Sequence, residues 1–150
     1  MIRSLTAAVM CILLVVIGPV KAGDVTTPLV ITPGVGIGPV SLGMPVQQVI
    51  GLLGQPSASH GGRMYFSRFG LTVVFEKGVA VQIKTTSKMF RTNAGAGIGV
   101  SPSGATRLIG DENTVRTTSG AYRTVTYPFQ GIGFVFRGGH AVAVLVEPRL

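Results

Sequence analysis

Seven side chains are the candidates for acid–base chemistry in this sequence, two histidines and five carboxylates. They are His60, His140, Asp24, Glu76, Asp111, Glu112 and Glu147. General acid–base catalysis needs such a group held within hydrogen-bond reach of a partner. Both histidines lie in glycine-rich turns without a neighbouring carboxylate, which is typical of solvated surface positions. We therefore predict no catalytic residues and a protein that is not an enzyme, with a hydrolase as the weaker alternative.

Two glycine clusters raise the question of phosphate binding. GVGIG spans residues 34–38 and GAGIG spans residues 95–99. A phosphate loop needs a following GK[ST] or a GxGxxG inside a βαβ unit, and neither pattern is present. The clusters are predicted to be turn and strand-entry segments that lead into two helices, and no cofactor is expected.

The N-terminal residues have the layout of a cleaved secretory signal peptide. Arg3 precedes an apolar run over residues 5–17, and Val20 and Ala22 stand at the −3 and −1 positions of a cleavage site. Cleavage there removes Cys11, so the mature chain has no thiol for a disulfide, a nucleophile or a metal site. The remaining possible ligands do not cluster, so no metal is expected. The prediction is a periplasmic or secreted protein without a stable membrane anchor.

The mature chain carries an excess of positive charge. The full sequence has 13 basic and 5 acidic residues. Removal of Arg3 and Lys21 leaves 13 − 2 = 11 basic residues and a formal charge of 11 − 5 = +6. Such an excess favours an acidic protein, lipid headgroups or an anionic envelope polymer as partner, although a merely basic soluble protein is as consistent with it. The charges are scattered, so nucleic acid is not expected.

Two blocks of the sequence recur in the same order. GMPVQQVIGLLGQP at 43–56 aligns with GVSPSGATRLIGDE at 99–112 at an offset of 56 residues. GLTVVFEKGVAVQI at 70–83 aligns with GIGFVFRGGHAVAV at 131–144 at an offset of 61. A loop between the blocks accommodates the difference, and the pattern predicts an internal duplication.

Each copy predicts a short helix followed by strands. Val46, Val49 and Leu53 lie at helical spacing in the first copy, and Ser101 and Pro102 form a helix start in the second. Alternating apolar residues around a glycine turn then predict a hairpin, and a third strand precedes it. The predicted fold class is α+β: two tandem units, each a short helix plus a three-stranded antiparallel meander, forming one layered domain. The predicted segments are a signal peptide (1–22), an N-terminal segment (23–34), a first unit (35–86), a linker (87–98) and a second unit (99–150).

The motifs SLGMPVQQVIGLLGQP and GLTVVFEKGVAVQI resemble a recurrent pattern of small bacterial envelope proteins. It is the pattern of the SmpA/OmlA (BamE-type) outer-membrane assembly lipoproteins and, in tandem, of secreted β-lactamase-inhibitor proteins. The resemblance spans roughly residues 35–146 and implies the tandem helix–meander fold. This chain differs from the lipoproteins in lacking a lipidation cysteine and from the inhibitors in lacking disulfides. No functional residue is carried over from either family.

An outward apolar patch on the predicted sheet is the candidate contact surface. Tyr and Arg are common anchors of protein interfaces, and an exposed apolar patch often marks one. The candidate residues are Tyr65, Val74, Lys84, Tyr122, Arg123, Val135, Arg137 and Leu145. Alternatively, the segment 26–35 or the other unit covers this face.

From these features we predict an exported, non-enzymatic binding module of the bacterial envelope or exterior. Its sheet face would contact a protein or an anionic envelope component, and a homodimer is a further option. The alternative function is a secreted enzyme inhibitor.

Overall fold

The structure, a computed structural model, describes residues 29–110 and 113–150. The predicted signal peptide, residues 23–28, Asp111 and Glu112 lie outside the described residues. None of the helices within the described ranges has the length and hydropathy that crossing a bilayer takes.

The described chain is mostly β-structure. Strands and bridges hold 45% of its residues and helices 16%, so the predicted α+β class is wrong. The two α-helices are α1 (Val46–Leu53) and α2 (Pro102–Ile109), and a 3-10 turn covers Ser67–Phe69. The strands are β1 (Ile31–Thr32), β2 (Gly36–Ile37), β3 (Val40–Ser41), β4 (Ala58–His60), β5 (Arg63–Phe66), β6 (Leu71–Glu76), β7 (Val79–Thr85), β8 (Val115–Ser119), β9 (Tyr122–Tyr127), β10 (Ile132–Arg137) and β11 (His140–Val146).

Eight of the strands form one continuous antiparallel sheet in the order β4-β5-β6-β7-β11-β10-β9-β8. The prediction of two units, each with a three-stranded meander, is therefore wrong. A fourth strand follows each helix, and β7 pairs with β11 in the middle of the sheet. The physical reason is that a separate three-stranded meander would leave the main-chain groups of β7 and β11 without partners, whereas their pairing removes both edges.

The junction between β7 and β11 has a symmetric register. Lys84 lies opposite Leu145, which follows it by 145 − 84 = 61 residues. The offset of 61 relates Ile83 to Val144 and Thr85 to Val146. In the sheet, Ile83 pairs with Val146 and Thr85 with Val144, so each strand pairs with the other in the reversed order about the Lys84–Leu145 pair. A contact of this kind, in which corresponding positions face one another, has the geometry of a two-fold interface.

The hydrophobic core lies on the face of the sheet that the helices cover. Val49 of α1 and Ala105 of α2 are fully buried there with Ile83 and Phe134 of the sheet. The predicted start of α2 is confirmed, because the Ser101 hydroxyl accepts a hydrogen bond from the amide of Gly104 at 3.1 Å.

The segment from residue 31 to 41 forms a separate three-stranded sheet, β1-β2-β3. Ile31, Ile37 and Val40 are buried in the same core. In the first glycine cluster, Gly34 has a φ of 70° and Gly38 a φ of 58°, and β2 lies between them. The first cluster therefore turns the chain around β2, as predicted for a turn and strand-entry segment.

Candidate binding face of the sheet

The candidate site is a shallow groove on the face of the large sheet that points away from the helices, which we call the outer face. The groove has a volume of about 210 Å³ and crosses β5, β6, β7, β11 and β10. Its lining residues are Arg63, Tyr65, Thr72, Val74, Gln82, Lys84, Val135 and Leu145.

Strand pairing explains why these side chains meet. Residues opposite one another in an antiparallel pair share a face of the sheet. Tyr65 pairs with Thr72, Thr72 with Lys84, and Lys84 with Leu145. The resulting row runs across four strands, and the alternating positions between these residues carry the buried core side chains.

Five of the eight residues predicted from the sequence line this groove. They are Tyr65, Val74, Lys84, Val135 and Leu145. The groove therefore joins both halves of the sheet across the β7–β11 junction. Tyr65 is 38% exposed, so its ring is available to a partner.

Leu145 is half-buried because its strand neighbour has no side chain. Gly133 of β10 lies opposite Leu145, and a Cβ atom built on Gly133 would stand 2.8 Å from Cδ1 of Leu145. The leucine side chain therefore leans over the glycine backbone. One side of the Leu145 side chain therefore packs on the sheet, and the other side faces solvent in the groove.

Tyr122 and Arg137 form a separate pair on the outer face, beyond the lining of the groove. The two residues lie opposite each other on β9 and β10. The guanidinium carbon of Arg137 is 5.5 Å from the centroid of the Tyr122 ring, which is the geometry of a cation–π contact. These two predicted residues thus contact each other and not the apolar centre of the groove.

The placement of Arg123 beside the predicted patch is wrong. Adjacent residues of a strand point to opposite faces, so Arg123 cannot share the face of Tyr122. Arg123 has the phase of Val125, which is 3% exposed and lies on the helix-covered side. It lines a second groove beside α2.

The lining of the outer-face groove contains two cations and no carboxylate. The cations are Arg63 and Lys84. The side-chain amide of the lining residue Gln82 donates a hydrogen bond of 3.4 Å to the carboxylate of Glu147, which lies outside the lining. The groove is therefore an apolar centre with basic groups in its wall.

The lining contains three residues that were not among the candidates: Arg63, Thr72 and Gln82. Arg63 is the charged one of the three. The signal was present, because Arg63 precedes Tyr65 by two residues and therefore shares its face in a strand. Thr72 stands two residues before Val74 on β6, and Gln82 two residues before Lys84 on β7, so the same alternation places both on the outer face.

The N-terminal segment does not cover this groove in the described residues. Ile31 is 1% exposed and belongs to the core on the opposite side of the sheet. None of the residues from 29 to 35 lines the groove. The alternative in which this segment folds over the outer face is wrong for these residues.

The two histidines lie apart from the outer-face groove. His60 is exposed on β4, and Nδ1 of His140 lies 3.2 Å from the carbonyl oxygen of Gly138. Within residues 29–110 and 113–150, no group of three or more His, Cys, Asp or Glu residues is placed to hold a metal ion.

Comparisons with known proteins give one structural neighbour. No protein-family model matches the chain, and no curated protein matches it either. The crystal structure of a DUF4309 family protein (YjgB) from Bacillus subtilis is similar at 15% sequence identity, with a TM-score of 0.49. The match covers 70% of this chain and 78% of that one. The resemblance to the assembly lipoproteins and tandem inhibitors stays a prediction.

Proposed function

We propose that the chain is an exported, non-enzymatic binding module of the bacterial envelope or exterior that contacts a protein partner through the outer-face groove. The observation that carries the proposal is the convergence of Tyr65, Val74, Val135 and Leu145 in one solvent-facing groove. Apolar surface of this kind gains free energy when a partner removes it from water.

The chemistry of the groove favours a protein over a simple anionic polymer. Arg63 and Lys84 attract negative charge, and the formal charge of the proposed mature chain is 11 − 5 = +6. A polyanion would satisfy these cations but leave the flanks of Tyr65 and Leu145 in water. A protein surface with an apolar side chain flanked by carboxylates satisfies both.

A second copy of the chain fits the groove less well than an acidic partner does. Two copies facing each other through this surface would bring Arg63 and Lys84 of one copy near the same cations of the other. Like charges at an interface oppose association. The partner is therefore proposed to be a different, acidic protein surface, and a secreted enzyme is one such candidate.

The export part of the proposal predicts a defined mature N-terminus. When the full sequence is expressed in a bacterial host, mass spectrometry of the extracytoplasmic protein is expected to give a chain that begins at Gly23. The Ala22→Asp variant places a charge at the −1 position and should accumulate uncleaved. A cell fraction in which the intact residues 1–150 remain in the cytoplasm would contradict export.

The contact face is tested with Leu145→Asp in the mature chain. The carboxylate would enter the apolar centre of the groove, and we expect partner binding to fall by at least about ten-fold, or 1.4 kcal/mol. The measurement is quantitative capture of partners from envelope extract at low and moderate salt, followed by titration of the purified partner. Val115→Asp adds the same charge at a position that is 54% exposed on the sheet edge, and it should bind as the wild type does.

Two results would contradict the contact face. Equal binding by the wild type, Leu145→Asp and Val115→Asp would exclude the groove. If Leu145→Asp lowers the melting temperature strongly, Tyr65→Ala takes its place, because that ring is partly exposed and its loss spares the core. Unchanged binding by a folded Tyr65→Ala variant would then overturn the proposal.

A further inference from the structure

A second groove, on the helix-covered side of the sheet, brings three arginines together. It lies between α2 and the strands β8 and β9 and has a volume of about 380 Å³. Its lining residues are Pro102, Ser103, Thr106, Arg107, Arg116, Arg123 and Val125. We call it the arginine groove.

The sheet register places two of the arginines on the same face. Arg116 of β8 pairs with Val125 of β9, and Thr118 pairs with Arg123. Arg116 and Arg123 are thus diagonal neighbours, a relation that corresponds to roughly 7–8 Å between positions. Arg107 approaches from the last turn of α2. Three guanidinium groups therefore face one opening.

Two of the three arginines of this groove, Arg107 and Arg123, lack a counter-charge among the described residues. None of its lining residues is acidic. Arg107 and Arg123 have no ion-pair partner among the described residues, and both side chains are exposed. An anion in the groove would supply the counter-charge that the described lining residues do not provide.

The remaining lining residues define the kind of anion. Guanidinium groups match the oxygens of phosphate through paired hydrogen bonds. The hydroxyl of Thr106 lies 3.1 Å from that of Tyr127, and the hydroxyl of Ser103 lies 3.3 Å from that of Ser101, so both belong to hydroxyl pairs that can donate to a phosphate. Pro102 adds partly exposed apolar surface for an organic group, and Val125, which is 3% exposed, lies beneath the groove.

We propose that the arginine groove binds the phosphate group of an organic phosphate ester. Its volume lies in the range of small-ligand sites, about 300–1,000 Å³, and exceeds the space that a single inorganic ion fills. The ester is either a lipid headgroup or a soluble molecule, since both present the same phosphate chemistry. The groove lies across the sheet from the outer-face groove, so this site is independent of the proposed partner contact.

The test is a titration of the mature protein with glycerol phosphate, inorganic phosphate and vesicles of phosphatidylglycerol or phosphatidylcholine. Binding is measured by amide chemical shifts in heteronuclear NMR and by vesicle co-sedimentation. We expect shifts centred on residues 102–107 and 116–125, and at least about ten-fold weaker binding in Arg123→Gln, because a paired guanidinium contact is lost. Lys88→Gln removes the same charge from an exposed position outside both grooves and should bind as the wild type does.

Each outcome tests the proposed site or distinguishes a lipid headgroup from a soluble ester. Binding of glycerol phosphate identifies a soluble ester, and binding of phosphatidylglycerol vesicles alone identifies a headgroup. Equal losses in Arg123→Gln and Lys88→Gln would overturn the site, since they would show only a general charge effect. Binding of inorganic phosphate as tight as that of both esters would also overturn it. If Arg123→Gln melts early, Arg107→Gln on the exposed side of α2 replaces it with the same expectation.

Discussion

Phe134→Ala is expected to lower the free energy of unfolding by about 3–5 kcal/mol. Phe134 is fully buried at the centre of β10. Its ring stacks on the Phe136 ring with centroids 6.1 Å apart and makes a T-shaped contact with the Tyr127 ring at 6.2 Å. The substitution removes these contacts and leaves a cavity, and a domain of this size has only about 5–15 kcal/mol in total. Urea unfolding followed by circular dichroism measures the loss.

Phe129→Ala is the matched control for this substitution. Phe129 is 54% exposed, so the same side-chain change should cost less than about 1 kcal/mol. Equal losses in the two variants would show that Phe134 does not occupy the centre of the core, and the arrangement of β9 and β10 would have to be revised.

Gly131→Ala is expected to destabilise the protein by at least about 3 kcal/mol. Gly131 has a φ of 69°, a backbone conformation that residues other than glycine rarely adopt. A Cβ atom there would stand 2.5 Å from the carbonyl oxygen of Glu147 and 2.6 Å from Cα of Gly34. Both are main-chain atoms, so no side chain can rotate to make room. The carbonyl oxygen of Gly131 also accepts hydrogen bonds from the amides of Gly34 and Glu147.

Gly120→Ala separates the two causes of this loss. Gly120 has a φ of 58°, but a Cβ atom there would meet nothing within 4 Å. In this variant only the left-handed backbone conformation lowers the free energy of unfolding, by about 1–2 kcal/mol. Thermal melting of both variants gives the comparison. A loss in Gly131→Ala no larger than that in Gly120→Ala would contradict the close approach of the chain at residues 34, 131 and 147.

Sequence patterns predicted the helices and strands that bury one face in the core. Val49 and Leu53 are the buried residues of α1, as their helical spacing indicated. Leu71, Val73 and Phe75 alternate as buried residues along β6, as predicted. In each case the apolar side chains that form the core also set the local periodicity, so a single segment contains the necessary information.

The edges of the sheet could not be predicted in the same way. All residues of β4 and all residues of β8 are exposed, so their sequences contain no alternation of apolar and polar residues. The strands β1, β2 and β3 have two residues each, too few for any period. The pairing of β7 with β11 joins residues that are 144 − 85 = 59 to 146 − 83 = 63 positions apart, and a local pattern does not specify which distant strand becomes the neighbour.

The candidate site was partly predictable for a related reason. Strand phase placed Tyr65, Lys84 and Leu145 on one outward face, and the register then brings them together. The same phase excludes Arg123 from the face of Tyr122, so the prediction that both residues lie beside the patch was inconsistent with strand geometry. The arginine groove depends on the approach of α2 to β8 and β9, which no single segment indicates.

The position of β11 in the sheet also has a consequence for the order of assembly. A chain emerges from the ribosome with its N-terminal end first, so β4 to β7 are free to pair among themselves before the later strands arrive. β7 then remains an open edge until β11, the last of the described strands, comes to lie beside it. The intervening loop closure slows this step relative to the local hairpins. During synthesis, the unfinished sheet therefore presents β7, the strand that an unfolded neighbouring chain would most readily extend.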